Sequence, residues 1–376
     1  MLRKLLDNVD KKILSNDKLK RFYPLHDALD TFLYSTNKQT SKAPYVRDSI
    51  DLKRTMIIVV LALLPSFFFG IYNVGLQSPE ISNGNFFEYF IYGLYRVIPM
   101  YLVVFGVGGI CEAIFAVVRK HEINEGFLVT GFLIPLTMPP TIPLWMLAVA
   151  TIFGVVIGKE IFGGTGYNIF NPALTARAFL FFAYPSKMSG NIPWVYPIDG
   201  LSKATPLLEQ SSNIPLSYSW ENMFYGFIPG SVGETSTLAI LIGAFILLIT
   251  KIGSWRVMLS TILGMMLTSL LLNQLGTIEG TGPMLDITPS YHFVMGGFAF
   301  GMVFMATDPV SSAQTNTGRW IYGFLIGFMA VIIRCINPAY PEGMMLAILF
   351  ANAFAPLIDY NVIQNHIKTR QISYEK

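Results

Sequence analysis

Asn171-Pro172-Ala173 recurs in this sequence as Asn337-Pro338-Ala339, 166 positions further on. Two more pairs keep that offset: Gly126-Phe127 with His292-Phe293, and Pro143 with Pro309. A repeat at a fixed offset predicts two related halves, and an Asn-Pro step interrupts the apolar sequence of each half at the same place. Paired interruptions of this kind are typical of membrane proteins in which broken helices meet near the middle of the bilayer.

The composition supports a membrane location. Of the 376 residues, 53% are hydrophobic and only 13% are charged, against about 25% charged in soluble domains. A net charge of +3 gives no basic surface for a nucleic acid, so we expect no nucleic-acid partner. The two cysteines cannot complete a four-cysteine iron–sulfur cluster, and we predict no resident metal site on this chain.

Apolar sequence falls into ten segments that are long enough, or nearly so, to cross a hydrocarbon core about 30 Å thick. The first five are 55–74, 97–118 with 86–96 as an interfacial lead-in, 126–138, 142–158 and 170–184. The second five are 237–250, 257–275, 293–307, 320–336 and 344–358. Because each repeat has an odd number of spans, the second copy would be inverted relative to the first. We therefore predict an all-α integral membrane protein with about ten transmembrane helices in two inverted five-helix repeats that contain broken half-helices.

The positive charges predict the orientation. Twelve of the 26 Lys and Arg residues fall within residues 1–54, which favours a cytoplasmic N-terminus. The predicted organisation is a cytoplasmic segment with an amphipathic helix over 1–54, a first repeat over 55–184, a periplasmic loop over 185–235, a second repeat over 236–361 and a cytoplasmic tail over 362–376. Only Arg334, near the outer end of its span, fits this orientation poorly. Glycine pairs spaced by four, among them Gly323 and Gly327, predict close helix packing.

The loop between the halves carries a polar motif, Asp199-x-x-Ser202-x-Ala204-Thr205. An ordinary turn in an exposed loop is one interpretation. The motif also resembles Asp-x-x-(Ser/Thr)-Gly-Ala-Thr, the sequence at which a flavin transferase joins FMN through its phosphate to the threonine hydroxyl. That resemblance implies a covalent FMN on Thr205. Lys203 departs from the pattern because it stands where glycine is usual.

Other motifs carry a wider resemblance, over nearly the whole chain. They are His121-Glu122-Ile123-Asn124-Glu125-Gly126-Phe127, Gly163-Gly164-Thr165-Gly166, Asn171-Pro172-Ala173-Leu174, Met305-Ala306-Thr307-Asp308-Pro309-Val310 and Asn337-Pro338-Ala339-Tyr340-Pro341-Glu342-Gly343. Together they resemble the B subunits of the Na+-translocating NADH:quinone oxidoreductases, in the NqrB/RnfD family. The related RnfD subunits share the flavin motif and many spans but usually lack the long N-terminal extension, so the first group is the better match.

The resemblance implies a multi-pass protein of the bacterial inner membrane, within a multisubunit redox complex. Electrons would arrive from an FMN-bearing periplasmic subunit and pass through FMN on Thr205 and a non-covalent riboflavin to ubiquinone, coupled to Na+ export. No Gly-x-Gly-x-x-Gly sequence opens a βαβ unit here, so NADH would be oxidised on another subunit. A cofactor-free secondary transporter built on the inverted repeat is the alternative from a different class.

The candidate cofactor residues are two asparagines just after the glycine turn and two glycines within the second span. Asn168 and Asn171 are the polar groups expected to line the riboflavin site, because amides both donate and accept hydrogen bonds. Helix capping by Asn171 ahead of Pro172 is the competing interpretation. Gly108 and Gly109 match a glycine pair that the family associates with ubiquinone, although close packing is the usual role of such a pair.

Candidate ion-path residues lie within or beside the spans. Glu112 is the deepest carboxylate, three residues past Gly109, and would suit Na+ capture because hard cations prefer oxygen ligands. Phe300 and Phe304 are one helical turn apart and would form an aromatic gate, or simply pack in the core. Asp308 lies at the end of the same span, where a capping role competes with a role in ion transfer.

Overall fold

A computed structural model of the chain describes residues 9, 13, 15 and 23 and the ranges 52–81, 83–119, 126–190, 194–195, 204–279, 284–337 and 341–374. Most of the predicted N-terminal amphipathic helix lies outside these residues. Asp199, Ser202 and Lys203 of the flavin motif also lie outside them.

The described part of the chain is helical and contains no strand. The first half has α1 (Leu52–Gln77), α2 (Phe86–Arg119), α3 (Gly126–Leu136), α4 (Leu144–Ile152) and α5 (Pro172–Ala183). The connection between the halves has α6 (Pro185–Met188), α7 (Pro206–Ser211) and α8 (Trp220–Tyr225). The second half has α9 (Thr237–Ile249), α10 (Trp255–Glu279), α11 (Pro289–Val294), α12 (Phe298–Phe300), α13 (Asn316–Ile336) and α14 (Met344–Tyr374).

Two of these helices continue directly into a short π-helical turn. A π-helical turn over Phe153–Ile157 follows α4, and another over Gly301–Met305 follows α12. Within the described residues, six helices are long and apolar enough to cross a membrane, and α3, α5 and α9 are shorter apolar helices. The chain is therefore an all-α integral membrane protein.

Each of the ten predicted segments contains a helix, but three boundaries differ. Residues 86–96 are not a separate lead-in, because α2 runs unbroken through 34 residues. Its start is fixed by the Glu88 carboxylate, which accepts a hydrogen bond from the Asn85 backbone N–H at 3.0 Å. The last helix does not end near Ile358; no proline or glycine follows to stop it, and it extends to Tyr374.

The third difference is a break inside the eighth predicted segment, 293–307. Met295 is extended with ψ 139°, and Gly296 has φ +61°, a conformation that glycine adopts at little cost. The chain therefore leaves α11, turns and re-enters as α12. The prediction of one continuous helix there was wrong, while the prediction of broken helices is confirmed.

Helices at equivalent positions in the two halves pack against each other. The first helices, α1 and α9, pack against each other, and so do the fifth, α5 and α14. Such pairing is what two halves related by a pseudo-two-fold axis would show. The prediction that Gly323 and Gly327 pack closely is confirmed, because a Cβ on Gly327 would lie 2.0 Å from the Thr261 carbonyl oxygen of α10.

Candidate cofactor and ion sites

One cavity, with a volume of about 730 Å³ including its open mouth, is lined by both halves of the chain. We call it the main cavity. Asn168 and Asn171 lie on its wall from the first half, and Phe304 and Asp308 lie on it from the second. The structure thus brings the two riboflavin candidates and two ion-path candidates to one place.

A glycine turn shapes one wall of the main cavity. Gly163, Gly164 and Gly166 have φ of +129°, +95° and +94°, which residues with a side chain rarely adopt. This turn places Thr165 on the cavity wall, and its buried hydroxyl has no hydrogen-bond partner among the described residues. An unpaired buried hydroxyl costs on the order of 1–3 kcal/mol. The sequence did not single out Thr165, although the glycines around it were a signal.

Asn171 caps α5, as one of its two interpretations predicted. Its Oδ1 accepts hydrogen bonds from the backbone N–H groups of Ala173 and Leu174 at 3.0 and 3.3 Å, with Pro172 in the first helical position. The cap uses the amide oxygen only, so capping and contact with a ligand in the cavity are compatible. Asn168 donates from Nδ2 to the Phe170 carbonyl at 3.0 Å.

Glu112 is neutralised by a neighbouring lysine. The Lys159 ammonium contacts the Glu112 carboxylate and lies 3.9 Å from the Glu160 carboxylate, and all three side chains are buried. Lys159 also lines the main cavity. A cation that bound Glu112 would therefore have to displace the ammonium of Lys159.

The two glycines predicted for ubiquinone differ in their surroundings. A Cβ on Gly108 would lie 2.1 Å from Cζ of Phe127, whereas a Cβ on Gly109 would meet no atom within 4 Å. Gly108 therefore allows α2 and α3 to approach closely, which is the packing interpretation. Gly109 lies beside open space on the helix surface, and neither glycine lines the main cavity.

Phe300 of the predicted aromatic pair immediately precedes the second π-helical turn, and Phe304 lies within it. The rings of Phe300 and Phe304 are 5.0 Å apart at 54°, and both are buried. Phe304 reaches the main cavity, whereas Phe300 does not line it. Asp308 follows the turn, and its Oδ2 accepts a hydrogen bond from the Ser311 hydroxyl at 2.6 Å, so it also has a capping partner.

Thr205 lies at the start of α7, between two smaller cavities. Its hydroxyl accepts a hydrogen bond from the Leu208 backbone N–H at 3.3 Å and is half-buried. The cavities enclose about 380 and 300 Å³, and Trp194 and Glu342 line both of them. Trp194 is held by a hydrogen bond from its indole N–H to the Gly190 carbonyl at 2.9 Å. Thr205 therefore lies beside two small cavities and beside an aromatic side chain that lines both of them.

Arg177 forms ion pairs with two carboxylates that line the cavity of about 380 Å³ beside Thr205. Its Nη1 lies 2.6 Å from Oε1 of Glu234, and its Nη2 lies 2.6 Å from Oε2 of Glu342. The Ser231 hydroxyl also donates to Glu234. Glu234 lies in the connection outside the spanning helices; its burial raises the pKa of the carboxyl, and the charge of Arg177 opposes that shift. We call Arg177, Glu234 and Glu342 the charge bridge.

The charge bridge was not predicted from the sequence. Glu234 and Glu342 are 57 and 165 residues from Arg177, so no local pattern links them. One signal was present: Arg177 lies inside a predicted span, where a charge is costly and usually functional.

Arg334, whose position fits the charge pattern poorly, has a structural role. It is 1% exposed and donates to the carbonyls of His292, Met295 and Glu342 at 2.7, 2.9 and 3.0 Å. The bonds to His292 and Met295 satisfy carbonyls at the break between α11 and α12, and the third bond holds the loop before α14. Arg334 is therefore buried because it binds these carbonyls, and the positive-inside rule does not account for such a residue.

Comparisons with known proteins identify the family of the chain. A sequence model of the NQR2, RnfD, RnfE family matches residues 39–368. The chain is 50% identical to the B subunit of the Na(+)-translocating NADH-quinone reductase of Chromohalobacter salexigens, over 98% of this chain and 96% of that protein. It is 47% identical to the protein of the same name from Yersinia pestis, over 98% of both chains. On these matches, the chain belongs to the NQR2, RnfD, RnfE family.

Proposed function

We propose that this chain is the B-type membrane subunit of a Na+-translocating NADH:quinone reductase in a bacterial inner membrane, with both termini in the cytoplasm. The observation that carries the proposal is the identity of 47–50%, over 98% of this chain, to relatives that carry that name. NADH is oxidised on another subunit, and electrons reach this chain from an FMN-bearing subunit on the periplasmic side. The net reaction reduces ubiquinone and exports Na+.

Thr205 is the proposed attachment point of a covalent FMN, joined through a phosphoester by a flavin transferase. Asp199 and Ser202 complete the motif that the transferase reads. Support comes from the half-buried hydroxyl and from the two cavities beside it. Trp194, which lines both, offers a ring face against which a flat apolar group packs. FMN and riboflavin supply one-electron transfer when they are bound; this chain holds and orients them.

The main cavity is the proposed riboflavin site. The hydroxyl of Thr165 supports this assignment, because it is buried without a partner among the described residues and a ligand in the cavity would satisfy it. Asn168 and Asn171 add amide groups to the same wall. A ligand with several hydrogen-bonding edges would satisfy all three side chains and exclude water from this part of the membrane.

Ubiquinone and Na+ use other parts of the chain. Gly109, on the open surface of α2, is the proposed contact for the quinone ring, and Gly108 lets α3 pack beside it. Na+ enters through the main cavity, where Asp308 supplies a carboxylate and Glu112 becomes available when Lys159 moves. Phe300 and Phe304 close the route beyond the cavity.

A denaturing gel tests the flavin assignment. The wild-type chain, co-expressed with its complex and its flavin transferase, gives a fluorescent band, and Thr205→Ala abolishes it. Ser219→Ala is the matched control, because Ser219 caps α8 through a hydrogen bond from the Asn222 N–H at 3.3 Å, as Thr205 caps α7. Both variants lose a cap worth about 1 kcal/mol, but only the first loses fluorescence. A wild-type chain without fluorescence contradicts the assignment.

An RnfD-type subunit of an ion-translocating ferredoxin:NAD oxidoreductase is the second candidate, since the matching family includes RnfD. The coverage of 98% of both chains in the Yersinia pestis relative favours the reductase. Both would fluoresce on the gel, so the electron acceptor decides between them. Reduction of ferredoxin by the purified complex would refute the choice made here. A cofactor-free secondary transporter is refuted by a fluorescent band that Thr205→Ala removes.

A further inference from the structure

A fourth, narrow space lies behind the charge bridge. It lies between the π-helical turn after α12 and the start of α14, with Gly301, Met305 and Met345 on its wall. We call it the inner chamber. It shares Glu234, Gly297 and Glu342 with the cavity of about 380 Å³ beside Thr205. The charge bridge is therefore the partition between the inner chamber and a cavity that reaches Thr205.

The π-helical turn after α12 lies between the inner chamber and the main cavity. Gly301 and Met305 of the π-helical turn line the chamber, while Phe304 of the same turn lines the main cavity. The molecule thus contains the main cavity, the π-helical turn, the inner chamber, the charge bridge and the cavity of about 380 Å³ beside Thr205 in succession. One apolar and one charged partition separate three spaces.

We propose that Arg177 closes the ion path on the Thr205 side by holding Glu234 and Glu342 together, and that a monovalent cation passes when Arg177 releases Glu342. This inference rests on the proposed function. While both carboxylates bind the guanidinium, their oxygens are occupied. Once one is released, it offers the oxygen ligands that Na+ prefers.

The three side chains are unequally exposed, and this indicates which contact opens. The side chains of Arg177 and Glu234 are 5% and 6% exposed, and Ser231 also binds Glu234. The side chain of Glu342 is 22% exposed, so water competes there for the arginine. The backbone of Glu342 is held by Arg334. Opening therefore requires a side-chain movement between Arg177 and Glu342, without displacement of the loop.

Thiol labelling in the assembled complex tests the gate. Met345→Cys places a reporter in the inner chamber of a chain that also carries Cys111→Ala and Cys335→Ala. A membrane-impermeant cationic thiosulfonate is added from the Thr205 side of vesicles, and the mass of this chain is followed with time. Loss of one charge-assisted hydrogen bond in Glu342→Gln should raise the labelling rate about tenfold. Arg177→Lys, whose single ammonium cannot hold both carboxylates in the same geometry, should raise it too.

Two controls separate a gate from general loosening. Glu80→Gln removes an ion pair with Arg96 (3.5 Å) outside all of these cavities and should leave the rate unchanged. A second reporter, Met56→Cys in the main cavity, should be labelled from the other side at the same rate with or without Glu342→Gln. A rise at both reporters shows a merely structural role and overturns the proposal, as does an unchanged Met345→Cys rate in both gate variants. Absence of covalent flavin from the wild-type chain refutes the proposed function and not the gate.

Discussion

At the scale of single residues, Asn171 combines a structural and a proposed binding role in one side chain. Asp is as good a helix cap as Asn but lacks the amide donor. Asn171→Asp should therefore keep the thermal midpoint of the complex and lower its riboflavin content. Asn171→Ala should lower both, with a loss of about 1 kcal/mol of stability. Riboflavin content is measured after acid extraction, which leaves the covalent FMN on the protein; full retention in Asn171→Asp would assign Asn171 to capping alone.

Residue chemistry also sets what the sequence can reveal about the site. Asn168, Asn171, Phe304 and Asp308 were found from local pattern and family resemblance, and they do share a cavity. The partners of Arg177 and Glu112 were not found, because each ion pair joins residues from different helices or loops. A burial cost predicts that a charged side chain in a span has a partner, but it does not identify that partner.

At the scale of helices, contact between α10 and α13 depends on the absence of side chains. Gly327→Val should destabilise the chain by about 1–3 kcal/mol, since its Cβ would fall 2.0 Å from the Thr261 carbonyl oxygen. Gly106→Ala in α2 is the control, because no atom lies within 4 Å of its Cβ position. The thermal midpoint of the purified complex measures both changes. Equal midpoints for the two variants would contradict the packing described here.

Helix ends show where sequence patterns succeed and where they fail. The start of α5 follows from Asn171-Pro172, because the cap and the proline act locally. The break between α11 and α12 could not be predicted from apolar periodicity, because Met295 and Gly296 are uncharged and leave the apolar segment uninterrupted. It depends on Arg334, which satisfies the exposed carbonyls of residues distant in sequence. Length alone likewise could not show that α2 continues through residues 86–96.

At the scale of the whole molecule, two similar halves enclose the candidate sites between them. The main cavity takes residues from both halves, and the charge bridge joins α5, the connection between the halves and the loop before α14. The repeat seen in the sequence predicts sites between the halves, and the roles assigned to the residues there stay predictions. It could not show that a π-helical turn and the charge bridge lie between these cavities.

The central claim is that this chain is the membrane subunit of a redox-driven sodium pump that reduces quinone. The most direct test is Na+ uptake by inside-out vesicles that contain the assembled complex, with NADH as donor and ubiquinone as acceptor. We predict NADH-driven Na+ accumulation with quinone reduction, lost in Thr205→Ala and retained in Ser219→Ala. Quinone reduction without Na+ accumulation, or uptake that Thr205→Ala leaves intact, would contradict the account.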